Sequence, residues 1–365
     1  MTDDPDVRFA LESNYAGLKG KKLAFTVVRR TRRYMDTVLE EIAGVAAHAD
    51  YDLVIHHTLV PGQHIGEYLG VAAVPVALQP VWVPTSAFPS PFGPQSLPAF
   101  LNRATYLSSQ LLSRATVGGI GSWRSRQLGL ARKRRGMHNQ FLQPDGTPAT
   151  VLQAFSSSVL PKDPDYPDSV VTTGFWYLPD PEGWAPDAAL QKFLDAGEPP
   201  VYVGFGSMTG RDPDQTAETV AAALRLAKVR AVVVTGEGGI SANPFTENVF
   251  VSDDVPHSWL FPRMSAVVHH GGGGTTAAAM KAGVPQVVCP FTGDQPFWAR
   301  KMHRIGVATQ PVPQAATTPE NLAQIITQAA TSHGMKERAA DVAADLALER
   351  GTARAVEVVE KLAPI

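Results

Sequence analysis

The 365-residue chain has a single cysteine, no long apolar run and no excess of positive charge. That cysteine, Cys289, rules out a disulfide scaffold and a zinc site built from several cysteines. Lysine and arginine number 32 against 34 acidic residues, so no overall basic field favours nucleic acid as a partner. No segment reaches the roughly 18 apolar residues of a membrane span, and the acidic first residues do not resemble a secretory signal. These absences predict a globular, cytoplasmic protein.

Two missing motifs narrow the chemistry further. No lysine follows the glycines at 271–274, so the phosphate loop of nucleotide-hydrolysing enzymes is absent. The same glycines lie far from the first strand–helix unit, where a hydride-cofactor fingerprint belongs. No paired-aspartate cluster stands near them, so we predict no metal and no cofactor.

The second half of the chain alternates between short apolar segments and helical patterns. Strands are predicted at 200–205, 231–235, 249–251, 265–269, 285–289 and 305–309, and helices at 212–227, 275–282 and 294–304. This alternation is typical of a parallel sheet with helices on both faces. The length of the chain predicts two domains.

The first half is less regular. Strands are predicted at 52–56, 74–78, 150–155 and 170–173, and helices at 31–48, 64–69 and within 99–135. Residues 22–28 fit either a strand or the start of the first helix. Residues 335–362 predict one or two further helices.

The stretch around the four glycines carries the most specific chemistry. A strand ends in His269 and His270, and Thr275 and Thr276 open the helix that follows the glycines. Glycines let backbone N–H groups approach a phosphate, and a helix N-terminus carries about +0.5 charge that favours an anion. A plain glycine turn with a threonine cap is the alternative, but it does not explain why strand, histidines, glycines and helix occur together. The pattern therefore predicts a phosphate site.

Asp294 and Gln295 follow the next predicted strand. A carboxylate beside a carboxamide can accept and donate hydrogen bonds to adjacent sugar hydroxyls. Taken alone, the pair fits an aspartate cap followed by a surface glutamine equally well. The neighbouring phosphate site favours sugar binding.

Several motifs together resemble the donor-binding signature of family-1 inverting glycosyltransferases. They are VPH at 255–257, WLFP at 259–262, HHGGGGTT at 269–276, GVP at 283–285, GDQ at 293–295 and GFGSM at 204–208. The segment PHSWLFPR is most similar to sterol 3-beta-glucosyltransferases and to bacterial enzymes that glycosylate natural products. The resemblance covers most of the chain and implies the α/β fold called GT-B, in which two Rossmann-like domains face a cleft.

The resemblance also implies a role for each donor-site residue. The diphosphate would contact Ser207, His270, Gly272, Gly274, Thr275 and Thr276; the base would lie beside Val255 and His257; the hexose would bond to Asp294 and Gln295. Ala278 stands where many plant members carry a glutamate for the ribose. UDP-glucose and a dTDP-sugar therefore both stay open as donors, and UDP-glucose is usual in the sterol branch.

By the same resemblance, residues 1–178 form the acceptor-binding domain, 179–199 a linker and 200–365 the donor domain, whose last helix can cross back. Family members open with a strand and a loop of the type GTRGDVQP, which supplies the catalytic base or its partner. No such loop is found, so we expect an incomplete N-terminal domain and little activity. A gene start assigned too far downstream or a degenerate chain explains this better than a segment supplied by a partner.

The acceptor side has weaker candidates. His57 ends a predicted strand and could act as the base, although a merely hydrogen-bonded histidine fits that position better; His138 is a weaker candidate still. The loop VWVPTSAFPSPF at 81–92 suits an apolar acceptor such as a sterol, polyketide or lipid, or else packs on its own domain. The basic residues within 124–135 contact an anionic membrane or form a solvated helix face, and the second interpretation is favoured.

The function favoured by these motifs is inverting transfer of a hexose, first of all glucose, from a UDP-sugar to a hydroxyl of a small apolar acceptor. A catalytically impaired nucleotide-sugar-binding remnant or subunit is one alternative. A UDP-sugar epimerase on the same fold is another. Nucleic acid is not expected as a partner, and any membrane contact is expected to be peripheral.

Overall fold

The computed structural model describes residues 20–48, 50–95, 97–116, 120–132, 139–179, 181–206, 212–236 and 239–363. Ser207 and His138 lie outside these ranges. The described chain forms two compact units, residues 20–176 with 349–363 and residues 177–348, and each unit has its own parallel sheet. Within the described ranges, no helix combines the length and the apolar character needed to cross a membrane.

The helices and strands follow one another along the chain in two groups. The first group is α1 (Gly20–Ala46), β1 (Leu53–His57), α2 (Gln63–Leu69), β2 (Ala72–Ala77), α3 (Asn102–Thr105), α4 (Leu107–Thr116), α5 (Ile120–Gln127), β3 (Val151–Gln153) and β4 (Val170–Thr172). The second is α6 (Ala188–Asp195), β5 (Val201–Gly204), α7 (Pro213–Ala227), β6 (Ala231–Val234), β7 (Val249–Ser252), α8 (His257–Leu260), β8 (Ala266–His269), α9 (Gly273–Lys281), β9 (Gln286–Val288), α10 (Gln295–Arg304), α11 (Pro319–Thr331), α12 (His333–Ala347) and α13 (Gly351–Val359). Single 3-10 turns occupy Ala99–Leu101, Phe261–Arg263 and Gln314–Ala316.

The second unit has a doubly wound sheet in the order β7–β6–β5–β8–β9. Strands β5, β6 and β8 are buried along their whole length, which explains their nearly continuous apolar sequences. Alternate strand residues pack on α7 and α11 on one face and on α6, α8 and α9 on the other. The sheet is therefore covered on both faces, as predicted.

One predicted strand of this unit is wrong. Residues 305–309 form only a single bridge, from Ala308 to Gln286, and no strand. The first two residues of the segment belong to the turn that leaves α10, because Ile305 and Gly306 donate back to the helix and Gly306 adopts a φ of +81°. The ambiguous segment 22–28 is helical and belongs to α1.

The first unit has a four-stranded parallel sheet in the order β1–β2–β3–β4. Its strand residues Val74, Val76 and Leu152 pack against Ala355 of α13, the last helix of the chain. Another cluster joins α1, α2 and α5 through Met35 and other apolar side chains. The C-terminal helix is thus part of the core of the first unit.

The loop at 81–92 packs on its own unit. Its residues Thr85 and Phe88 are buried, and the buried carboxylate of Asp163 accepts hydrogen bonds from the Thr85 hydroxyl at 2.7 Å and the Ser86 N–H at 2.6 Å. Burial alone would raise the pKa of Asp163, but the hydrogen bonds from Thr85 and Ser86 lower it to about 2. A charged anchor therefore holds the loop on its own unit, with Phe88 buried and Phe92 exposed.

The favoured interpretation of residues 124–135 as a solvated helix face is wrong for Arg124. Arg124 is 1% exposed and forms a bidentate salt bridge with Glu67, with nitrogen–oxygen distances of 2.8 and 2.9 Å. Its guanidinium also donates to the carbonyl oxygen of Ala131 at 3.0 Å. Helix α5 ends at Gln127, and residues 133–135 lie outside the described ranges.

The buried salt bridge between Arg124 and Glu67 leads to a prediction about stability. Glu67→Gln leaves the Arg124 charge buried without its counter-charge and should lower the free energy of unfolding by about 2–4 kcal/mol. Glu357→Gln is the matched control, because Glu357 pairs with Arg354 at the surface of the same unit and should cost less than about 1 kcal/mol. Urea unfolding measures both changes. Equal losses of unfolding free energy in the two variants would show that the buried salt bridge stabilises the protein no more than the exposed one.

Candidate functional site

The carboxyl ends of three neighbouring strands bring the predicted donor-site residues of the second unit to one edge of the sheet. Gly206 follows β5, His270 follows β8, and Asp294 lies between β9 and α10. Ligands of open parallel sheets bind beyond the carboxyl ends of the strands. The site predicted from the glycine motif therefore lies where this fold places ligands.

The turn after β8 depends on two buried side chains. Gly271 has a φ of +88°, and a Cβ there would lie 2.8 Å from a methyl carbon of Val288. Its N–H donates to Nδ1 of His269 at 3.1 Å, so Nε2 of that ring carries the proton and donates to Oε1 of Gln286 at 3.0 Å. His269 and Gln286 are both fully buried. They therefore position the glycine turn and do not themselves reach a ligand.

Sequence reasoning missed this positioning pair. Gln286 is the single polar residue in the otherwise apolar segment PQVVC at 285–289. A glutamine inside a buried strand needs a hydrogen-bond partner. That rule, applied to the segment, would have pointed to the preceding strand and to His269.

The His270 ring lies between two glycine backbones. A Cβ on Gly206 would lie 3.4 Å from Cε1 of the ring, and a Cβ on Gly272 would overlap Nε2. Burial, with a smaller contribution from His257, lowers the pKa of His270 to about 4. At neutral pH the ring is therefore uncharged, with one nitrogen that donates and one that accepts.

The N-terminus of α9 presents unpaired donors. The first helical hydrogen bond runs from Thr276 N–H to Gly272 oxygen at 2.9 Å, so three preceding N–H groups, those of Gly273, Gly274 and Thr275, have no acceptor within the helix. Among the described residues, no side chain caps this terminus, and a Cβ on Gly274 would meet none of their atoms within 4 Å. The described residues therefore leave room for an anion at the positive end of the helix.

Two buried polar atoms near this terminus have no hydrogen-bond partner among the described residues. They are Nδ1 of His270 and Oγ1 of Thr276. Most buried polar side-chain atoms are hydrogen bonded, so an unpaired one requires an explanation. A bound anion with several oxygens would satisfy donors from both side chains and from the helix terminus.

Hydrogen bonds fix the side chains of both Asp294 and Gln295. Oδ2 of Asp294 accepts a hydrogen bond from the indole of the buried Trp298 at 3.0 Å, and burial raises the pKa of Asp294. Oε1 of Gln295 accepts from the backbone N–H groups of Phe291 at 2.8 Å and Thr292 at 3.1 Å. Gln295 is buried, so the alternative of a surface glutamine is wrong.

The two residues predicted to flank the base differ in exposure. The side chain of Val255 is buried in the core of the second unit, so only its backbone can contact a ligand. His257 is half-buried and stacks on Phe261 with 4.3 Å between ring centroids, while Nε2 lies 3.4 Å from the Tyr202 hydroxyl. Burial lowers the pKa of His257.

His57 lies in the first unit, at the end of β1. Its Nδ1 accepts from the Leu59 N–H at 3.1 Å, so Nε2 carries the proton and donates to Oε1 of Gln79 at 3.1 Å. Burial lowers the pKa of this histidine. Both ring nitrogens are therefore engaged, and the lone pair on Nδ1 already accepts the Leu59 N–H instead of a proton from a substrate.

Comparisons with known proteins support the interpretation of the second unit. Residues 215–364 match the family described as erythromycin biosynthesis protein CIII-like, C-terminal domain. An O-mycaminosyltylonolide 6-deoxyallosyltransferase of Streptomyces fradiae is 35% identical over 99% of this chain and 85% of the relative. A sterol 3-beta-glucosyltransferase of Arabidopsis thaliana is 33% identical over 68% of this chain. The chain spans only 39% of the length of that plant protein.

Solved structures show the same architecture. The glycosyltransferase of kitacinnamycin superposes with a TM-score of 0.67 at 18% identity, over 96% of this chain and 85% of the other. The calicheamicin glycosyltransferase CalG4 gives 0.62 at 16% identity, over 97% and 84% of the two chains. The predicted GT-B fold is thereby confirmed.

The buried histidines predict how stability depends on pH. Burial lowers the pKa of His269 to about 3 and that of His270 to about 4, below the value of 6.5 in an unfolded chain. Between pH 6.5 and 4 the unfolded state binds more protons, so the free energy of unfolding falls as the pH drops, by up to about 1.4 kcal/mol per pH unit for each histidine.

His270→Gln should make that pH dependence shallower by up to about 1.4 kcal/mol per pH unit, because one of the buried titrating histidines is removed. Urea unfolding of the parent and the variant at a series of pH values measures the slopes. His333→Gln, at an exposed position of the same unit, is the matched control. If the free energy of unfolding of His270→Gln has the same slope against pH as that of the parent, His270 titrates normally in the folded protein.

Proposed function

The chain belongs to the glycosyltransferase family that includes the macrolide glycosyltransferase of Streptomyces fradiae and the sterol 3-beta-glucosyltransferases, and from that premise we propose that it transfers a hexose from a nucleoside diphosphate sugar to a hydroxyl of an apolar acceptor. The observation that carries the proposal is the set of unpaired donors beside the glycine turn. These are the first N–H groups of α9 and the buried atoms of His270 and Thr276, which have no hydrogen-bond partner among the described residues.

In the proposed reaction the acceptor oxygen attacks the anomeric carbon from the face opposite the diphosphate. The bond between that carbon and the diphosphate oxygen breaks, and the oxygen keeps the electron pair. Negative charge therefore grows on the diphosphate as it leaves. The α9 terminus and the neutral His270 are suited to stabilise this charge, since they are fixed in place before the reaction begins.

Glucose is the proposed sugar and UDP the proposed nucleotide, with a dTDP-sugar as the competing donor. The carboxylate of Asp294 is anchored by Trp298 and can accept hydrogen bonds from hexose hydroxyls. The amide nitrogen of Gln295 can donate to a neighbouring hydroxyl, because only the oxygen of that amide is used to hold residues 291 and 292. The Streptomyces relative is named as a deoxyhexose transferase, so a 6-deoxyhexose donor belongs in the same assay.

The proposals for the acceptor and for the catalytic base rest on fewer observations than the proposal for the donor. The curated relatives are named for sterol and macrolide chemistry, which supports an apolar alcohol as the acceptor. His57 stays a prediction as the base. To take a proton from the acceptor hydroxyl, its Nδ1 must first release the Leu59 N–H.

His270 provides the test of the diphosphate site. We expect UDP to bind and to raise the melting temperature, and His270→Ala to weaken UDP binding by about 10- to 100-fold through loss of one charge-assisted hydrogen bond. Calorimetric titration measures the dissociation constant. His333→Ala is the matched control, because its side chain is 87% exposed on the same unit. Failure of UDP and dTDP to bind at millimolar concentration would contradict the proposal.

Asp294 separates sugar recognition from nucleotide recognition. Asp294→Asn keeps an acceptor for the Trp298 indole but removes the charge offered to the hexose, so UDP should bind within about twofold of the parent while the preference for UDP-glucose over UDP disappears. Asp341→Asn, at an exposed position of the same unit, is the control. An equal loss of affinity for UDP and UDP-glucose would show that Asp294 supports the fold and does not recognise the sugar.

A further inference from the structure

A cavity of about 310 Å³ lies at the amino ends of β6 and β7 in the second unit. The C-terminal turn of α7, the connection from α7 to β6 and the residues that precede β7 form its walls. We call it the α7–β7 cavity, and it is defined by Leu224, Arg225, Lys228, Arg230, Phe245 and Val249. The glycine turn lies beyond the carboxyl end of β8, at the other edge of the same sheet. The α7–β7 cavity is therefore separate from the site proposed for the nucleotide sugar.

The floor of the α7–β7 cavity is apolar. Leu224 is buried in the core of the second unit, and the half-buried side chains of Val229, Phe245 and Val249 pack against the same core cluster. A ligand that covers these side chains removes apolar surface from water, which favours binding. The volume of the cavity falls at the lower end of the range of roughly 300–1,000 Å³ found for small-molecule sites. The floor is therefore suited to the apolar body of a small ligand.

The rim of the cavity is positively charged. Arg225 and Lys228 are exposed and lie three residues apart at the C-terminal end of α7, and Arg230 is half-buried in the connection to β6. No acidic residue lines the cavity, and Glu247, although close in the sequence, does not line it either. None of the three cations forms a salt bridge with a described residue. Three positive charges thus line one small cavity, and the described residues supply no anionic partner.

Arg230 is fixed in place before any ligand binds. Its guanidinium donates to the backbone oxygens of Glu198, at 2.8 Å, and of Phe193. It also stacks on the Phe193 ring, with 4.3 Å between the guanidinium carbon and the ring centroid. These partners are uncharged backbone and aromatic groups, so the positive charge is not neutralised. A guanidinium has five N–H donors, and only these two hydrogen bonds are found among the described residues, so donors remain for an anion at the rim.

The C-terminal end of α7 does not account for all three cations. A helix C-terminus carries a partial charge of about −0.5, which favours basic side chains near it. Two of its carbonyl oxygens, those of Leu224 and Arg225, already accept from the Lys228 N–H. Half an elementary charge is too small to balance Arg225, Lys228 and Arg230 together. The excess positive charge is therefore available to a ligand.

We propose that the α7–β7 cavity binds a small organic anion, in which a carboxylate or phosphate group is joined to an apolar body. The anionic oxygens accept hydrogen bonds from the arginines, whose planar guanidinium groups match the geometry of carboxylates and phosphates. The apolar body covers Leu224, Val229 and Phe245. The side chains of Thr246 and Asn248 also line the cavity and can hydrogen bond to polar substituents. Because the proposed sugar transfer uses the other edge of the sheet, this inference is independent of the proposed function.

Calorimetric titration of the full chain with 2-naphthoate tests the proposal. We expect binding at millimolar concentration or below, and weaker binding at high salt, because the attraction between charges is screened. 2-Naphthalenemethanol has the same apolar body without the charge, and inorganic phosphate has the charge without the body. Each should bind at least about tenfold more weakly, since each lacks one of the two contributions. Equal binding of the neutral alcohol, or no binding of 2-naphthoate at millimolar concentration, would overturn the proposal.

The same titrations with saturating UDP separate the cavity from the nucleotide site. Binding of 2-naphthoate should be unchanged, because the two sites lie at opposite edges of the sheet. Competition by UDP would place the ligand in the nucleotide site and contradict the proposal. In the presence of UDP, 2-naphthyl phosphate identifies the anionic group: tighter binding than 2-naphthoate assigns a phosphate to the natural ligand, weaker binding a carboxylate, and both results support an organic anion.

Two variants locate the bound anion. Arg225→Gln combined with Lys228→Gln removes two exposed cations from the rim and should weaken binding of 2-naphthoate by about tenfold or more. The matched control, Arg304→Gln combined with Lys336→Gln, removes two exposed cations elsewhere on the same unit and should bind like the parent. Circular dichroism and melting temperature verify that both variants are folded. If the rim variant binds 2-naphthoate as tightly as the control variant does, the ligand lies elsewhere and the proposal fails.

Discussion

The left-handed turn at Gly271 is the constraint on which the candidate site depends. A parallel strand, β8, must end and redirect the chain into α9 within a few residues, and only a backbone with positive φ and no Cβ fits beside Val288. His269 and Gln286 hold this turn from inside the sheet. The position of His270 and the open terminus of α9 both follow from it.

Burial gives this site its electrostatic character. His269 and His270 are kept neutral because their surroundings are poorly solvated, so neither brings a fixed positive charge to the edge of the sheet. The α9 terminus contributes positive potential to the site. It offers directed N–H donors to an anion. That arrangement suits a diphosphate whose charge increases as the sugar departs.

Much of the second unit could be predicted because its strands are apolar and its glycine motif is specific. The predicted strand at 305–309 has the same apolar character, and the sequence does not reveal that it forms only the single bridge from Ala308 to Gln286. The site residues were predicted from residue type and spacing, but those patterns do not show that the Gln295 side chain folds back to accept hydrogen bonds from the N–H groups of residues 291 and 292. The first unit was harder to predict, because the burial of Arg124 beside Glu67 cannot be inferred from a run of basic residues.

The central claim is that the glycine turn and the α9 terminus form a nucleoside diphosphate site. Backbone amide resonances of isotope-labelled protein, followed while UDP is added, test it most directly. The account predicts that the amides of Gly272, Gly273, Gly274, Thr275 and Thr276 shift with the added nucleotide, together with the His270 ring signals. Saturable shifts confined to another part of the sheet, with these amides unchanged, would contradict it.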